Sequence, residues 1–267
     1  MSKLAKAAVN NYWAERQAKA QAALTEKSVK ETQAQLRKYY RRSMRSVTDR
    51  FQKVYNKLQR GADGGIAPTP ADLYKLDSYW QMQAQLRNEL QKLGDRQMVL
   101  FSKRFEVQFM NIYNSIAIKN STLFNKVDAS AAKQMISQIW CADGKSWSER
   151  IWNNTDKLQQ MLNDNLIDCV VTGKPVNQLR ELLIERFNVS YRAAEAVAQT
   201  ELAHIQTVAA QQRYKDYGIQ YVQVWADYDE RRCDKCGDLH EQKYPVGAAM
   251  PIPAHPRCRC CIVPVVD

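Results

Sequence analysis

The residues best suited to chemistry form two short groups near the end of the chain. The first group is Cys233-Asp-Lys-Cys236, and the second reads His255-Pro-Arg-Cys258-Arg-Cys260-Cys261. A C-x-x-C pair lets both sulfurs approach one metal ion at about 2.3 Å. Eighteen residues separate Cys236 from His255, which is a normal loop between the two halves of a zinc site. The spacing therefore predicts a structural zinc site.

Zinc takes four ligands, and the two groups offer more than four. The spacing favours Cys233, Cys236 and Cys258. The fourth ligand is either His255 or Cys260, and spacing does not decide between them. A module this small buries little apolar surface, so a metal cross-link would supply stability that its core cannot.

Other uses of these groups remain open. The cysteines could be free thiols, or disulfides formed after release from the cell. A catalytic zinc would need three protein ligands, an open position and a nearby base, for which His240 and Glu241 are weak candidates. Gly237 directly follows the first pair, and we expect it to adopt the positive φ that such a turn often needs.

Cysteine placement bears on the redox compartment. Five of the seven cysteines fall within the last 35 residues, whereas a disulfide framework would be spread more evenly. The N-terminus has no signal-like apolar run, and no stretch approaches the roughly 20 apolar residues that span a bilayer. We therefore expect a chain made in a reducing cytoplasm, with clustered thiols that serve as metal ligands.

The positive charge is confined to one end. Residues 1–60 contain 15 Lys and Arg but 4 Asp and Glu, a balance of +11 that equals the net charge of the whole chain. This segment has an apolar seam that includes Leu36, Tyr40, Phe51 and Val54, and we expect the basic side chains to lie off that seam. The candidate nucleic-acid contacts are Arg37, Lys38, Arg41, Arg42, Arg45, Lys53 and Lys57. The alternatives are a solvated helix face and a surface that docks on an acidic protein.

Helical patterns dominate the first 218 residues. Residues 3–60 lack Gly and Pro, and their first half has a weaker stripe that suggests a lone or partner-dependent helix. Thr69 and Pro70 are expected to begin a helix that stops at Gly94. Further helices are expected over 130–140, 147–172 and 176–186, and a last one from a Ser190 cap to about Tyr217. Alternation over 219–226 and the run 261–266 predict short strands.

These patterns predict a mainly α protein, an elongated helical body with a small β-containing, zinc-ribbon-like module at the C-terminus. Four segments are expected: a basic N-terminal helical arm (1–60), a helical segment after a Gly/Pro linker (61–125), a helical core (126–218) and the Cys/His module (219–267).

The C-terminal half resembles the phage minor head protein family, the head-morphogenesis group related to the F protein of phage Mu. Four strings carry the likeness, and they cover roughly residues 140–264: Trp140-Cys-Ala-Asp-Gly-Lys-Ser-Trp147, Ala-Val-Ala-Gln-Thr200-Glu201, Trp225-Ala-Asp-Tyr-Asp229 with the Cys233 pair, and Pro253-Ala-His255-Pro-Arg-Cys258-Arg-Cys260. The resemblance implies a minor capsid protein of the virion. Such a protein would form in the host cytoplasm, act beside the portal protein and other capsid or scaffold proteins in procapsid assembly, and take part in DNA packaging or ejection.

Enclosure with packaged genomic DNA would suit a basic arm, because Lys and Arg gain affinity by releasing phosphate counterions. No base-reading motif is present, so such contacts would be non-specific. The competing hypotheses are an enzyme or effector with Glu201 as catalytic acid, and a host nucleic-acid-binding zinc protein. Glu201 lies on an apolar stripe and needs a partner there, and a structural ion pair or cap is the favoured interpretation. We therefore expect a non-enzymatic protein without a catalytic residue.

Overall fold

Helices account for most of the chain, as the sequence patterns predict. The computed structural model describes residues 3–61, 69–116, 127–226 and 232–265. The helices are α1 (Lys3–Gly61), α2 (Pro70–Tyr74), α3 (Asp77–Ser115), α4 (Ala129–Ile136), α5 (Trp147–Val171), α6 (Val176–Asp216) and α7 (Asp234–Leu239). The strands are β1 (Tyr221–Trp225), β2 (Lys243–Pro245) and β3 (Cys261–Pro264). The mainly α class with a small β-containing C-terminal module is therefore confirmed.

The three strands form one antiparallel sheet in the order β2-β1-β3. β1 pairs with β2 from Tyr221 opposite Pro245 to Gln223 opposite Lys243. On its other edge β1 pairs with β3, with Val222 opposite Pro264 and Trp225 opposite Cys261. Both predicted strands are thus present, with β1 in the centre of the sheet and β3 at one edge, and the three-residue β2 is the strand that the sequence patterns missed.

The chain divides into two compact units. Unit 1 comprises Met1–Thr32, Phe101–Ser146 and Ala196–Asp267, and unit 2 comprises Gln33–Leu100 and Trp147–Glu195. The sheet and both Cys/His groups belong to unit 1. Among the described residues, none of the helices has the length and apolar character needed to cross a membrane. The division into four segments stays a prediction.

Cap residues predict several helix ends correctly. Thr69 caps α2, because its hydroxyl accepts from the Asp72 amide while the Asp72 carboxylate accepts from the Thr69 amide. The Thr69 hydroxyl and the Thr69 amide both donate to the Asp72 carboxylate and lower the pKa of Asp72 to about 2. Gly173 and Gly218 follow α5 and α6 at φ +61° and +74°, the left-handed conformation that suits glycine after a helix.

The single helix predicted from Pro70 to Gly94 is wrong in two places, because α2 ends at Tyr74 and α3 continues through Gly94 to Ser115. A Cβ at Gly94 would lie 2.3 Å from Cζ3 of Trp152 within unit 2. The glycine therefore serves the close approach of an indole ring to the helix backbone, a purpose that the sequence does not distinguish from a helix end.

Ser190 is also not a cap, because α6 runs unbroken from Val176 to Asp216. Ser190 is buried in unit 2, where its carbonyl accepts from Asn154 Nδ2 at 2.9 Å. The Tyr40 hydroxyl lies 3.1 Å from the Ser190 hydroxyl. The polar side chain that resembled a helix start is thus satisfied by tertiary hydrogen bonds.

The first half of α1 packs within unit 1 through small and polar side chains. Ala14, Ala18, Gln21, Ser28 and Thr32 are buried at steps of three, four and seven residues. Gln21 Nε2 donates to the Ile262 carbonyl of β3 at 3.0 Å. The stripe looks weak in the sequence because hydrogen bonds and close packing replace large apolar side chains here.

Candidate metal centre

The two Cys/His groups are presented by different local structures of unit 1. Cys236 lies on α7, and Cys233 is the residue directly before that helix. His255 and Cys258 lie in the loop between β2 and β3, and Cys260 directly precedes β3. A helix turn places residues three apart on one face, so the C-x-x-C sulfurs point the same way.

The expectation for Gly237 is wrong. It lies within α7, and the glycines with positive φ are Gly144, Gly173, Gly218 and Gly247 among the described residues. The C-x-x-C pair therefore sits on a short helix and not on a glycine-dependent turn. A Cβ at Gly237 would meet the Arg232 guanidinium at 3.6 Å, which is ordinary contact.

The side chains converge at distances that suit a tetrahedral metal ion. His255 Nε2 lies 3.3 Å from Cys233 Sγ and 3.2 Å from Cys236 Sγ. Cys236 Sγ lies 3.8 Å from Cys258 Sγ, and two sulfurs on one tetrahedral zinc are about 3.8 Å apart. Two metal-competent groups result, Cys233–Cys236–His255 and Cys236–Cys258–Cys260, and Cys236 belongs to both. The structure therefore brings together all five predicted ligands.

Hydrogen bonding prepares the imidazole for a metal. His255 Nδ1 lies 2.8 Å from the Pro256 carbonyl, which can only accept, so Nδ1 carries the proton. The Nε2 lone pair is then directed at the two sulfurs of α7. Fixing the tautomer through the second ring nitrogen is the usual arrangement for a metal-bound histidine.

The thiols share protons within the buried part of the cluster. A hydrogen bond from Cys260 lowers the pKa of Cys258 to about 5, and the same bond raises the pKa of Cys260. Burial raises the pKa of Cys236 to about 12. Cys258 is therefore ready to bind as a thiolate, and a bound cation would compensate the burial that keeps Cys236 protonated.

Cys261 stands apart from the ligands. Its side chain packs in a cluster with Ala14, Ala18 and Val263 in unit 1. It begins β3, where alternation turns its side chain away from that of Cys260. Of the four candidates in the second sequence group, Cys261 is thus the one with a packing role.

Glu201 is buried and has the partner that its position demands. The Trp140 indole Nε1 donates to Glu201 Oε2 at 3.0 Å, and the Trp140 ring stacks on His204 with centroids 4.2 Å apart. Trp140 is 61 positions from Glu201, so no spacing rule could have identified it. Burial lowers the pKa of His204 to about 4, and its ring packs against Trp140.

His240 and Glu241 were the candidates for a catalytic base beside the metal. The Nδ1 of His240 accepts from the Ala226 amide at 3.2 Å, and its ring packs edge-on against Trp225. Burial lowers the pKa of His240. Within the described residues, neither His240 nor Glu241 belongs to a metal-competent group.

The predicted nucleic-acid contacts lie in unit 2, on the second part of α1. All seven side chains are exposed: Arg37, Lys38, Arg41, Arg42, Arg45, Lys53 and Lys57. On the same helix, Leu36, Tyr40, Val47, Phe51 and Val54 are buried. At about 100° per residue the basic side chains centre on the face opposite that seam. The separation of basic and apolar faces is therefore confirmed.

Comparison with known proteins finds a partial match to a curated protein and no matching family model or solved structure. No protein-family model matches it. A relative in Enterococcus faecalis, NAD(+)–arginine ADP-ribosyltransferase EFV, is 28% identical over 142 residues. That match covers 46% of this chain and 29% of the relative, so the chain spans under a third of the relative's length. No solved structure matches it.

Cys236 and Cys261 give a matched pair of serine variants. We expect Cys236→Ser to abolish the thiolate-to-metal absorption of a Co²⁺ probe, because both metal-competent groups lose their shared sulfur. Cys261→Ser should keep the band and lose stability through its buried packing. Titration with Co²⁺ followed by absorbance checks both, and an unchanged band in Cys236→Ser would contradict the assignment.

The half-buried ring of His204, stacked on Trp140, predicts a pH dependence of stability. Its native pKa of about 4 lies below the unfolded value of 6.5, so the neutral ring stabilises the fold above pH 6.5. That contribution, about 2 to 3 kcal/mol, is lost as the pH falls from 6.5 to 4. His204→Phe keeps a ring to stack on Trp140 but cannot titrate.

Urea unfolding at pH 7.5 and 4.5 measures the effect. Wild type should lose about 2 kcal/mol more than His204→Phe between the two values, since the other titrating groups are common to both. Equal losses would show that His204 is not held neutral.

Proposed function

We propose that this chain is a phage minor head protein, a structural component whose C-terminal module is cross-linked by zinc. The observation that carries the proposal is that separate strings of the family resemblance meet inside unit 1. Trp140 donates to Glu201 at 3.0 Å, and the Arg257 amide donates to Thr200 Oγ1 at 3.1 Å. Residues that carry the likeness are therefore in contact, although tens of positions separate them.

Zinc is the metal that the donor set favours. Thiolates together with one imidazole are the ligands of structural zinc sites, and harder cations prefer oxygen. Among the five candidates we favour Cys233, Cys236, His255 and Cys258, because His255 Nε2 lies 3.3 Å from Cys233 Sγ and 3.2 Å from Cys236 Sγ, and Cys236 Sγ lies 3.8 Å from Cys258 Sγ. Cys260 then serves as a hydrogen-bond donor to Cys258.

A non-enzymatic role agrees with the surroundings of Glu201. A catalytic acid must reach substrate, whereas this carboxylate is buried and accepts from the Trp140 indole. The match covers 29% of the Enterococcus relative, so the remaining 71% of the chain that carries the named activity lies outside it. We propose that the shared region is architectural and that the transferase chemistry requires the rest of that protein.

The setting that we propose is the virion, with assembly in the host cytoplasm. The partners would be the portal protein and other capsid or scaffold proteins. Mass spectrometry of purified particles, before and after DNA ejection, tests this. The chain should be present at low copy in particles, and its absence from them would favour the host nucleic-acid-binding alternative.

The transferase alternative has its own test. Purified protein incubated with NAD(+) and an arginine-rich acceptor should transfer no ADP-ribose. Transfer that Glu201→Gln abolishes while the variant still folds would contradict the structural role and support the enzyme.

For the basic face of α1 we propose contact with duplex DNA through phosphates. Arg37, Arg41, Arg45, Lys53 and Lys57 form a row that winds partly around the helix, since each step of four residues turns it by about 40°, and all five are exposed. In an α-helix that row spans about 30 Å, the length of nearly one turn of duplex. Of the seven predicted contacts, none has a carboxylate within ion-pair distance among the described residues, so their charges are available to a polyanion.

Salt dependence distinguishes this contact from other forms of binding. With about four phosphates neutralised, log K should fall against log salt with a slope near −4. Arg41→Gln with Arg45→Gln should flatten the slope by about 2, because two counterion-releasing contacts are lost. Fluorescence anisotropy with mixed-sequence duplex measures it.

The control changes two exposed basic residues of α3 in unit 2, Arg87→Gln with Lys92→Gln. It alters the net charge equally but leaves the row on α1 intact, so its slope should match wild type. Equal slopes for all three proteins, or binding that persists undiminished at high salt, would contradict the proposal.

A further inference from the structure

A polar contact joins α6 to the turn between His255 and Cys258. The hydroxyl oxygen of Thr200 accepts from the Arg257 backbone amide at 3.1 Å. Thr200 is not a ligand candidate, and α6 makes its own backbone hydrogen bonds. The purpose of this contact therefore lies in the conformation of the loop and not in helix stability or direct metal binding.

The loop is a tight turn with ligands at both ends. The Cys258 amide donates to the His255 carbonyl at 3.2 Å, so residues 255–258 form a β-turn. Proline occupies its second position, and Arg257 at the third has φ +64°. This combination is typical of a type II turn, in which the third position favours glycine. Arg257 pays a steric cost there, and without glycine another interaction must stabilise the turn.

The contact stabilises the one feature that distinguishes a type II from a type I turn. The two turns differ in the orientation of the central peptide, here Pro256–Arg257. Thr200 Oγ1 already donates its proton to the Ala196 carbonyl at 2.7 Å, so towards the turn it presents only lone pairs. It can therefore accept the Arg257 amide but would repel a carbonyl oxygen in that place.

The same peptide group also orients the imidazole. Its carbonyl, that of Pro256, accepts from His255 Nδ1 at 2.8 Å, and its amide is the group held by Thr200. A flip of this peptide would lose both hydrogen bonds and free the ring that directs Nε2 at Cys233 and Cys236. The two contacts thus form a path from α6 to a metal ligand.

We propose that Thr200 is a positioning residue for the metal site, acting on His255 through the orientation of the Pro256–Arg257 peptide. This inference rests on the proposed zinc site. It assigns a purpose to the Thr200-Glu201 string that neither metal binding nor the helical fold explains by itself.

The test compares zinc affinities by competition with a chromogenic chelator. Thr200→Val keeps the shape of the side chain but removes the acceptor, and we expect affinity to fall roughly three- to tenfold. Thr200→Ser keeps the hydroxyl and should stay within about twofold of wild type. Thr207→Val is the matched control, because Thr207 is buried on α6 and donates to the Ala203 carbonyl at 3.2 Å, and no hydrogen bond joins its side chain to the loop among the described residues.

A second substitution separates positioning from general destabilisation. Arg257→Gly lets the turn adopt its conformation without steric cost, so Thr200→Val should lose less than about twofold in that background. Should Thr200→Val not fold, Thr200→Ala removes the same acceptor without placing a methyl group against the turn.

The possible results distinguish a failure of the role of Thr200 from a failure of the zinc site. Wild type that binds zinc, with Thr200→Val of equal affinity, overturns the role of Thr200 and leaves the zinc site standing. An equal loss with and without Arg257→Gly also overturns it, because the effect then does not pass through the turn. Wild type without zinc overturns both.

Discussion

The convergence of four cysteine sulfurs and one imidazole in two groups that share Cys236 is the constraint on which the C-terminal module depends. Cys236 Sγ lies 3.2 Å from His255 Nε2 and 3.8 Å from Cys258 Sγ, so one sulfur joins the helix α7 to the loop before β3. Soft donors gathered this closely are satisfied either by shared protons or by a cation. A cation is the stronger cross-link, because it holds all donors at fixed distances at once.

The loop that carries His255 and Cys258 is also held against the helices of unit 1. Thr200 of α6 holds the turn between His255 and Cys258 by the Arg257 amide. On the other side of the ligands, β3 begins at Cys261, whose side chain packs on Ala14 and Ala18 of α1. The loop is thus anchored on two helices, and this explains how a sheet of three short strands is held in one arrangement.

Spacing was enough to predict that the Cys/His side chains form a metal-competent cluster, because C-x-x-C and H-x-x-C place donors on one helix turn and one β-turn. Spacing could not choose between His255 and Cys260, since that choice depends on where a loop of eighteen residues returns. Gly237 was misjudged because the first pair lies on a helix. β2 escaped prediction because three residues carry no readable alternation.

Errors along the helices share one physical origin. Gly94 and Ser190 have the residue types of helix ends, yet both are used for tertiary contacts inside continuous helices. The first part of α1 looked partner-dependent because Gln21 and its neighbours pack by hydrogen bonds and small size. Helix propensity describes the conformations that a residue favours by itself. Long-range packing determines whether such a residue ends a helix or makes a tertiary contact within one.

The function that we propose for this chain is structural. The strings that resemble phage minor head proteins contact one another through Trp140, Glu201, Thr200 and Arg257, and each of these contacts supports the module or its neighbouring helix. The basic residues of α1 lie in unit 2, apart in sequence from the Cys/His groups. Chain anchoring and polyanion contact are therefore assigned to different parts of the molecule.

Native mass spectrometry of protein prepared without chelator tests the central claim most directly. The account predicts one zinc ion per folded chain, released on denaturation together with exposure of the ligand thiols to alkylation. A folded chain that carries no metal, with Cys233, Cys236 and Cys258 alkylated as readily as in the denatured state, would contradict it.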